Sequence, residues 1–241
     1  MATKTEQESP RLITPNAAAL KMLLSFLASL ALTAVLLFGG AGRLNWTLGW
    51  IFTGVWIAPK LCYLILLRWR DPGLLVERAT RHRNTAQYDR IILPVYFVLA
   101  FGTFLVASLD GGRFGWSDEL PTWLIGAAYI VYLLGNGLAG WAMLSNPYHS
   151  AESRLQLDRG QRTVSSGPYR IVRHPTYLAS ILLWPVTGLM LGSWWAVIPG
   201  VMTALMMFIR TVNEDRMLHA ELPGYADYAR QVRYRLLPGI W

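Results

Sequence analysis

Long apolar runs alternate with short polar, arginine-rich segments along most of this chain. A helix that crosses the hydrocarbon core of a membrane needs about 20 mostly apolar residues. Four runs meet this requirement, and they are Met22–Phe38, Leu48–Leu67, Ile91–Leu109 and Thr122–Leu144. Each of them predicts one membrane-spanning helix.

A fifth apolar region, Tyr177–Ile209, is too long for one crossing. Gly192-Ser193 lies near its middle and is a turn signal. The region therefore predicts a helical hairpin made of Tyr177–Leu191 and Trp194–Ile209. Six crossings follow from this division. Five is the alternative, since both hairpin helices are near the lower length limit for spanning.

Composition supports the membrane class. The 241 residues are 54% hydrophobic and only 15% charged, and they include 11 Trp. Soluble domains carry about 25% charged residues, so these values argue against a soluble domain and against disorder. Cys62 is the single cysteine, which excludes an internal disulfide.

The basic residues predict the topology. Of 22 Lys and Arg, nineteen fall on one side of the predicted spans, Arg43 and Arg113 fall on the other, and Lys60 lies within a span. Short loops rich in Lys and Arg face the cytoplasm, so both termini are predicted to be cytoplasmic. This placement accounts for the net charge of +8, and no nucleic-acid partner is expected. Lys60 is expected to extend its ammonium group toward the nearer, cytoplasmic interface.

The predicted fold is an all-α, polytopic integral membrane bundle of five or six transmembrane helices with a C-terminal helical hairpin. Its predicted organisation is a cytoplasmic tail over residues 1–21, four spans over 22–145 with a cytoplasmic loop at 68–90, and a C-terminal region over 146–241 that contains the hairpin 177–209. The first run is expected to be a retained helix rather than a signal peptide, because its apolar core is longer than usual and acidic residues precede it.

Two polar stretches flank the hairpin and are predicted to meet on its cytoplasmic side. The first comprises Asp158-Arg159-Gly160 and then Val164 to Tyr177, and it is basic. The second begins at Arg210 and includes Glu214 and Asp215. Pro175 predicts that a helix begins just after His174. A basic, His-containing loop opposite an acidic helix end forms a pocket suited to a zwitterion.

These stretches resemble the membrane-embedded methyltransferases, which comprise the isoprenylcysteine carboxyl methyltransferases and the related phospholipid methyltransferases. The resemblance runs from about Asn146 to the C-terminus. Its motifs are Gly167-Pro168-Tyr169-Arg170, Arg173-His174-Pro175 with Tyr177, Glu214-Asp215, and the closing Tyr234-Arg235-Leu236-Leu237-Pro238. This sequence has Asp215 where the family has a second Glu.

The resemblance implies S-adenosylmethionine as the cofactor, in a cytoplasmic pocket. It implies a lipid or prenylated small-molecule acceptor that enters between the spans from the surrounding membrane lipid, and a multi-pass protein of the bacterial inner membrane. The implied cofactor-binding residues are Gly167, Pro168, Tyr169, His174, Pro175, Tyr177, Leu178, Glu214 and Asp215.

The candidate catalytic residues are Arg173, Arg210 and Glu214. An acceptor carboxylate is already nucleophilic, so an arginine that orients it is sufficient. An amine acceptor requires a base, for which His174 and Glu214 are the candidates. A metal site is not expected, because His82, His149 and His219 lack ligand spacing.

Other interpretations stay open at this point. The arginines are also explained by topology and headgroup contacts, His174 by helix capping, and Arg210 with Glu214 by a surface ion pair. At the level of function, the alternatives are an NADPH-dependent membrane reductase of the steroid-reductase type, a phospholipid N-methyltransferase, and a non-enzymatic membrane scaffold.

Overall fold

The computed structural model describes residues 14–80 and 85–241. In this part of the chain every regular element is helical. The α-helices are α1 (Pro15–Ala34), α2 (Thr47–Arg70), α3 (Pro72–Ala79), α4 (Asp89–Ala107), α5 (Thr122–Ser145), α6 (Pro175–Met190), α7 (Val197–Glu221) and α8 (Tyr225–Gln231). Short π-helical segments extend α1 to Gly39 and α4 to Phe114. The predicted all-helical bundle is confirmed.

Four helices are long and apolar enough to cross a membrane: Pro15–Gly39, Thr47–Arg70, Asp89–Phe114 and Thr122–Ser145. They contain the four predicted runs. Large apolar side chains lie exposed along them, as expected for lipid-facing positions, and examples are Leu27, Val98 and Leu134. The hairpin helices α6 and α7 correspond to the fifth and sixth predicted crossings, and the count of six stays a prediction.

Local capping explains where the helices begin. Thr14 accepts a hydrogen bond from the backbone N–H of Ala17, and Pro15 occupies the first turn, so α1 begins before the predicted Met22. Asp71 caps α3 in the same way through the N–H of Leu74 at 2.8 Å. Helix α3 lies within 68–90, which the sequence predicted as a loop.

The helical hairpin is confirmed, with different limits. Helix α6 begins at Pro175, and Gly192 turns the chain with a φ of 76°. Helix α7 continues about three turns beyond Ile209, so that Arg210, Glu214 and Asp215 all lie on it. The two helices approach closely, since a Cβ on Gly200 would lie 2.5 Å from the carbonyl oxygen of Trp184.

The core is aromatic and lies between α2, α4, α5 and α6. Phe52 contacts Phe104 and Tyr132 with ring centres 5.6 and 6.2 Å apart, and Trp56 and Met190 are buried beside them. This packing fixes the helices that carry the polar segments at one end of the bundle. We call this end of the bundle the site end, and it contains α3, the segment 146–174, α8 and the chain's last residues.

The charge count refers partly to residues outside the described part of the chain. Lys4 and Arg11 of the predicted tail lie there, as do Arg81, Arg83 and His82 of the predicted loop. The domain limits at 1–21, 22–145 and 146–241 stay predictions. Lys60 does not extend toward the site end. Its Nζ donates to the carbonyl oxygen of Trp56, one turn back along α2, at 3.0 Å.

Candidate functional site

The segment 146–174 folds over the site end in two short 3-10 turns, Leu157–Arg159 and Gly167–Arg170. Gly167 has a φ of 58°, and a Cβ there would lie 2.3 Å from Oγ of Ser145 at the end of α5. Only glycine allows this approach. Gly167 and Pro168 therefore shape the turn, which brings Tyr169 toward α8, where its carbonyl accepts from the Tyr228 hydroxyl at 2.7 Å.

Glu214 lies on α7 beside the first turn of α6. Its Oε2 accepts hydrogen bonds from the Tyr177 hydroxyl, at 2.5 Å, and from the Ser153 hydroxyl. Burial opposes ionisation of this carboxyl. The charges of Arg210 and His174 and the two hydroxyl donors outweigh it, and they hold the pKa of Glu214 below its ordinary value. Glu214 is therefore ionised at neutral pH.

Asp215, the next residue, is buried and accepts from four side chains. Its Oδ1 accepts from Arg173 Nε at 2.9 Å and the Tyr225 hydroxyl at 2.9 Å, and His174 Nε2 lies 3.2 Å away. Its Oδ2 accepts from Arg235 Nε at 2.7 Å. Burial disfavours the charge, but bonds from His174, Arg173 and Arg235 prevail and hold the pKa of Asp215 well below its usual range.

Arg173 joins the loop 164–174, which we call the motif loop, to the last residues of the chain. Besides Asp215, it bonds to the carbonyl oxygens of Val232 and Arg233 through Nη1, at 2.9 and 2.8 Å. The backbone N–H groups of Arg173 and His174 donate to the carbonyls of Tyr234 and Arg235. All three nitrogens of this guanidinium are engaged. The interpretation that the His174 side chain caps a helix is wrong, because this side chain makes no hydrogen bond to the start of α6.

Arg210 pairs with Asp89, the first residue of α4, and not with Glu214. The pair is bidentate, with Nε to Oδ1 at 2.9 Å and Nη2 to Oδ2 at 2.7 Å. Nη2 also donates to the carbonyl of Ala151, and Asp89 accepts from the N–H of Ser153 at 2.6 Å. This buried pair anchors the segment that carries Ser153, and hence one donor to Glu214.

A pocket with a cavity volume of about 90 Å³ lies between these elements and is partly open to solvent. Of the predicted site residues, Tyr169, Arg173, His174, Tyr177 and Glu214 line it. The others lie behind its wall. They are Gly167, Pro168, Pro175, Leu178, Arg210 and Asp215.

Several pocket residues were not predicted from the sequence, among them Tyr148, His149, Ser153, Arg154, Tyr225 and Tyr228. Arg154 donates from Nη2 to Oε1 of Glu77 on α3 at 2.5 Å, while its Nε is buried and has no hydrogen-bond partner in the described structure. Removal from water lowers the pKa of His149 to about 4, and the nearby charge of Arg78 adds to this effect. Two sequence signals could have indicated these pocket residues. They are the preceding apolar helix and the run of aromatic and polar residues at 146–154.

The arrangement suits a ligand with a cationic group and an aromatic or apolar part. Glu214 provides a carboxylate at the wall, and tyrosine rings surround it. Among the described residues, no group of three or more His, Cys, Asp or Glu side chains is placed to hold a metal ion.

Comparison with known proteins finds similarity in the part of the chain that carries the candidate site. Residues 123–222, which include all of α5 but its first residue, the motif loop and the whole helical hairpin, match the family model described as Phospholipid methyltransferase. This region is similar to the phospholipid methyltransferase family. The match includes His174, Glu214 and Asp215, and it supports the family resemblance drawn from the motifs.

One curated relative is the cobalt-zinc-cadmium resistance protein CzcN of Cupriavidus metallidurans. It is 32% identical over 134 residues, which cover 54% of this chain and 56% of that protein. The match thus spans a little over half the length of the relative.

Proposed function

We propose that this protein is an S-adenosylmethionine-dependent methyltransferase that methylates the carboxylate of a lipid-like acceptor, as an isoprenylcysteine carboxyl methyltransferase does. The observation that carries the proposal is the ionised Glu214 at the wall of an aromatic pocket, within the region that matches the methyltransferase family. The charge distribution supports a cytoplasmic position for the pocket.

The pocket fits the proposed cofactor in its chemistry. Both hydroxyl donors reach Oε2 of Glu214, so its Oε1 is the atom assigned to the cofactor's ammonium group. The unpaired Nε of Arg154 is assigned to the cofactor's carboxylate, and Tyr148 and Tyr228 are assigned to the adenosine part.

Asp215 and Arg173 act in this proposal by positioning other groups. Asp215 is saturated with donors from Arg173, His174, Tyr225 and Arg235, and it is 1% exposed. Its role is to hold the motif loop and the last residues against α7. Arg210 has the corresponding role through Asp89 for the segment that carries Ser153.

The protonation states in the pocket favour a carboxylate acceptor over an amine. When bound, S-adenosylmethionine supplies an electrophilic methyl group. An amine must lose a proton to attack it, but Glu214, with its lowered pKa, and His149, with a pKa of about 4, are weak bases. A carboxylate needs only orientation and exclusion of water.

The proposal is tested by binding of tritiated S-adenosylmethionine to the purified protein in a neutral detergent. We expect saturable binding that S-adenosylhomocysteine displaces and NADPH does not. Glu214→Gln removes the charge and should weaken binding roughly tenfold or more, since bonds to charged groups contribute about 1.5–3 kcal/mol. Glu221→Gln, at the exposed end of the same helix, is the matched control. Displacement by NADPH would instead indicate a reductase, and equal binding by both variants would exclude Glu214 from the site.

A further inference from the structure

Arg78, on α3, has a guanidinium group that is only partly paired. Its Nη2 donates to the carbonyl oxygens of Met143 and Asn146, at 2.9 and 3.3 Å. Its Nε and Nη1 are buried and have no hydrogen-bond partner within residues 14–80 and 85–241. None of the ion pairs in that part of the chain includes Arg78.

Tyr63, on α2, lies next to this guanidinium group and also carries a buried polar atom. The guanidinium carbon of Arg78 is 5.4 Å from the centre of the Tyr63 ring. The Tyr63 hydroxyl is also buried without a hydrogen-bond partner in the described structure. Three polar atoms from two neighbouring side chains are therefore out of contact with both water and protein acceptors. Such groups cost free energy unless they are satisfied by a ligand.

Arg78 and Tyr63 lie near two cavities of the protein. On one side, α1, α2 and α5 form a mainly apolar groove with a cavity volume of about 240 Å³, lined by Met22, Phe26, Tyr63, Leu64, Ala139 and Met143 among others. On the other side, Asn146 and Tyr169 line the candidate cofactor pocket. The carbonyl acceptors of Arg78 belong to one residue from each wall, so its guanidinium stands between the groove and the pocket.

Lys60, a cation that lines the groove, is placed differently from Arg78. Lys60 Nζ donates to the Trp56 carbonyl and lies 3.8 Å from the centre of the Trp56 ring. Its charge is thus engaged by its own helix, on the side away from α3. Burial lowers the pKa of Arg78 to about 10, which keeps its guanidinium charged at neutral pH.

We propose that Arg78 and Tyr63 bind the anionic oxygen headgroup of an amphiphile whose apolar chain lies in the groove between α1, α2 and α5. Resting on the proposed function, the amphiphile is the methyl acceptor and the headgroup is its carboxylate. Nε and Nη1 of Arg78 lie on different edges of the guanidinium group, so Arg78 would give the headgroup a single hydrogen bond and the Tyr63 hydroxyl would give a second. The site would bring that carboxylate to the boundary of the cofactor pocket.

The test compares three ligands that share a long apolar chain. Binding of oleate, uncharged oleyl alcohol and lysophosphatidate to the purified full chain is measured in a neutral detergent near neutral pH. We expect oleate to bind more tightly than oleyl alcohol. Arg78→Gln should weaken oleate binding roughly 10- to 100-fold and leave oleyl alcohol binding unchanged. Arg70→Gln, at the exposed end of α2, is the matched control and should change neither.

Two further variants guard against a folding defect in Arg78→Gln. Tyr63→Phe removes a hydroxyl that bonds to nothing in the described structure, so the fold should tolerate it, and oleate binding should fall several-fold. Arg78→Lys keeps the charge and should restore part of the affinity. Equal binding of oleate and oleyl alcohol, or oleate binding that is unchanged in both Tyr63→Phe and Arg78→Gln, would overturn the site.

Cofactor binding measured on the same samples separates this inference from the proposed function. Oleate binding that depends on Arg78 without any S-adenosylmethionine binding would leave the anion site standing and reject the methyltransferase. Normal cofactor binding with no effect of Arg78 or Tyr63 would reject the anion site alone. Lysophosphatidate that binds through Arg78 more tightly than oleate, without inhibiting methyl transfer, would overturn the assignment of the site to the acceptor.

Discussion

The Tyr177 hydroxyl donates to Oε2 of Glu214 at 2.5 Å and so joins the first turn of α6 to α7 across the helical hairpin. The same ring stacks on His174, with ring centres 5.7 Å apart. One tyrosine therefore links the motif loop to the acidic end of α7. The geometry of the proposed cofactor site depends on this link.

Removal of the Tyr177 hydroxyl should leave Glu214 less firmly positioned without unfolding the protein. Tyr177→Phe keeps the ring and leaves Glu214 with the Ser153 donor. A hydrogen bond to a charged group contributes about 1.5–3 kcal/mol, so we expect roughly a tenfold loss of cofactor affinity. Tyr234→Phe, which alters a more exposed hydroxyl, is the control. Unchanged affinity in Tyr177→Phe would show that the link does not position Glu214.

Loss of the Asp215 charge should destabilise the whole site end. Asp215→Asn leaves Arg173 buried without its carboxylate, and breaking such a buried pair costs about 3–5 kcal/mol. Arg235→Gln should cost much less, because Arg235 is about one-third exposed and water replaces part of the interaction. Thermal unfolding in detergent measures both, and equal midpoints would contradict the central role of Asp215.

His149 should make stability depend on pH in mildly acidic solution. Its pKa falls from an ordinary 6.5 to about 4 in the folded protein, so the unfolded chain binds its proton more readily. Stability should therefore decrease as pH falls from about 6.5 to about 4. His149→Gln should flatten this part of the profile of unfolding midpoint against pH. A wild-type profile that is already flat there would contradict the lowered pKa of His149.

The close approach of α6 and α7 should not tolerate a larger residue at position 200. In Gly200→Ala the added Cβ would lie 2.5 Å from the Trp184 carbonyl, which is backbone and cannot move aside alone. We expect a loss of about 1–3 kcal/mol, typical of overpacking, together with weaker cofactor binding. Gly137→Ala, where nothing lies within 4 Å of the new Cβ, is the matched control in α5. Equal stability of the two variants would be incompatible with this packing.

The sequence predicted the helices, the hairpin and the meeting of His174 with Glu214, because each depends on local signals. Apolar runs set the spans, Pro175 sets the start of α6, and a short turn brings α7 back beside it. The partners of the arginines could not be predicted. Asp89 lies 121 residues from Arg210, and no periodicity distinguishes it from other acids.

The same limit applies to Arg78. In the sequence it is one of nineteen basic residues that report topology. Only the packing of α3 against α2 and α5 shows that its guanidinium is buried and incompletely paired. Likewise, the convergence of Arg173, Tyr225 and Arg235 on Asp215 required three separate segments to be placed together.

The central claim is tested most directly by following a labelled methyl group. The purified protein is incubated with S-adenosylmethionine tritiated in its methyl group and with either a prenyl thioether carboxylate or phosphatidylethanolamine, and the products are treated with alkali. We expect label in the carboxylate that alkali releases as volatile methanol, and loss of this label in Glu214→Gln. Alkali-stable label in phosphatidylethanolamine, or no transfer by protein that binds the cofactor, would contradict it.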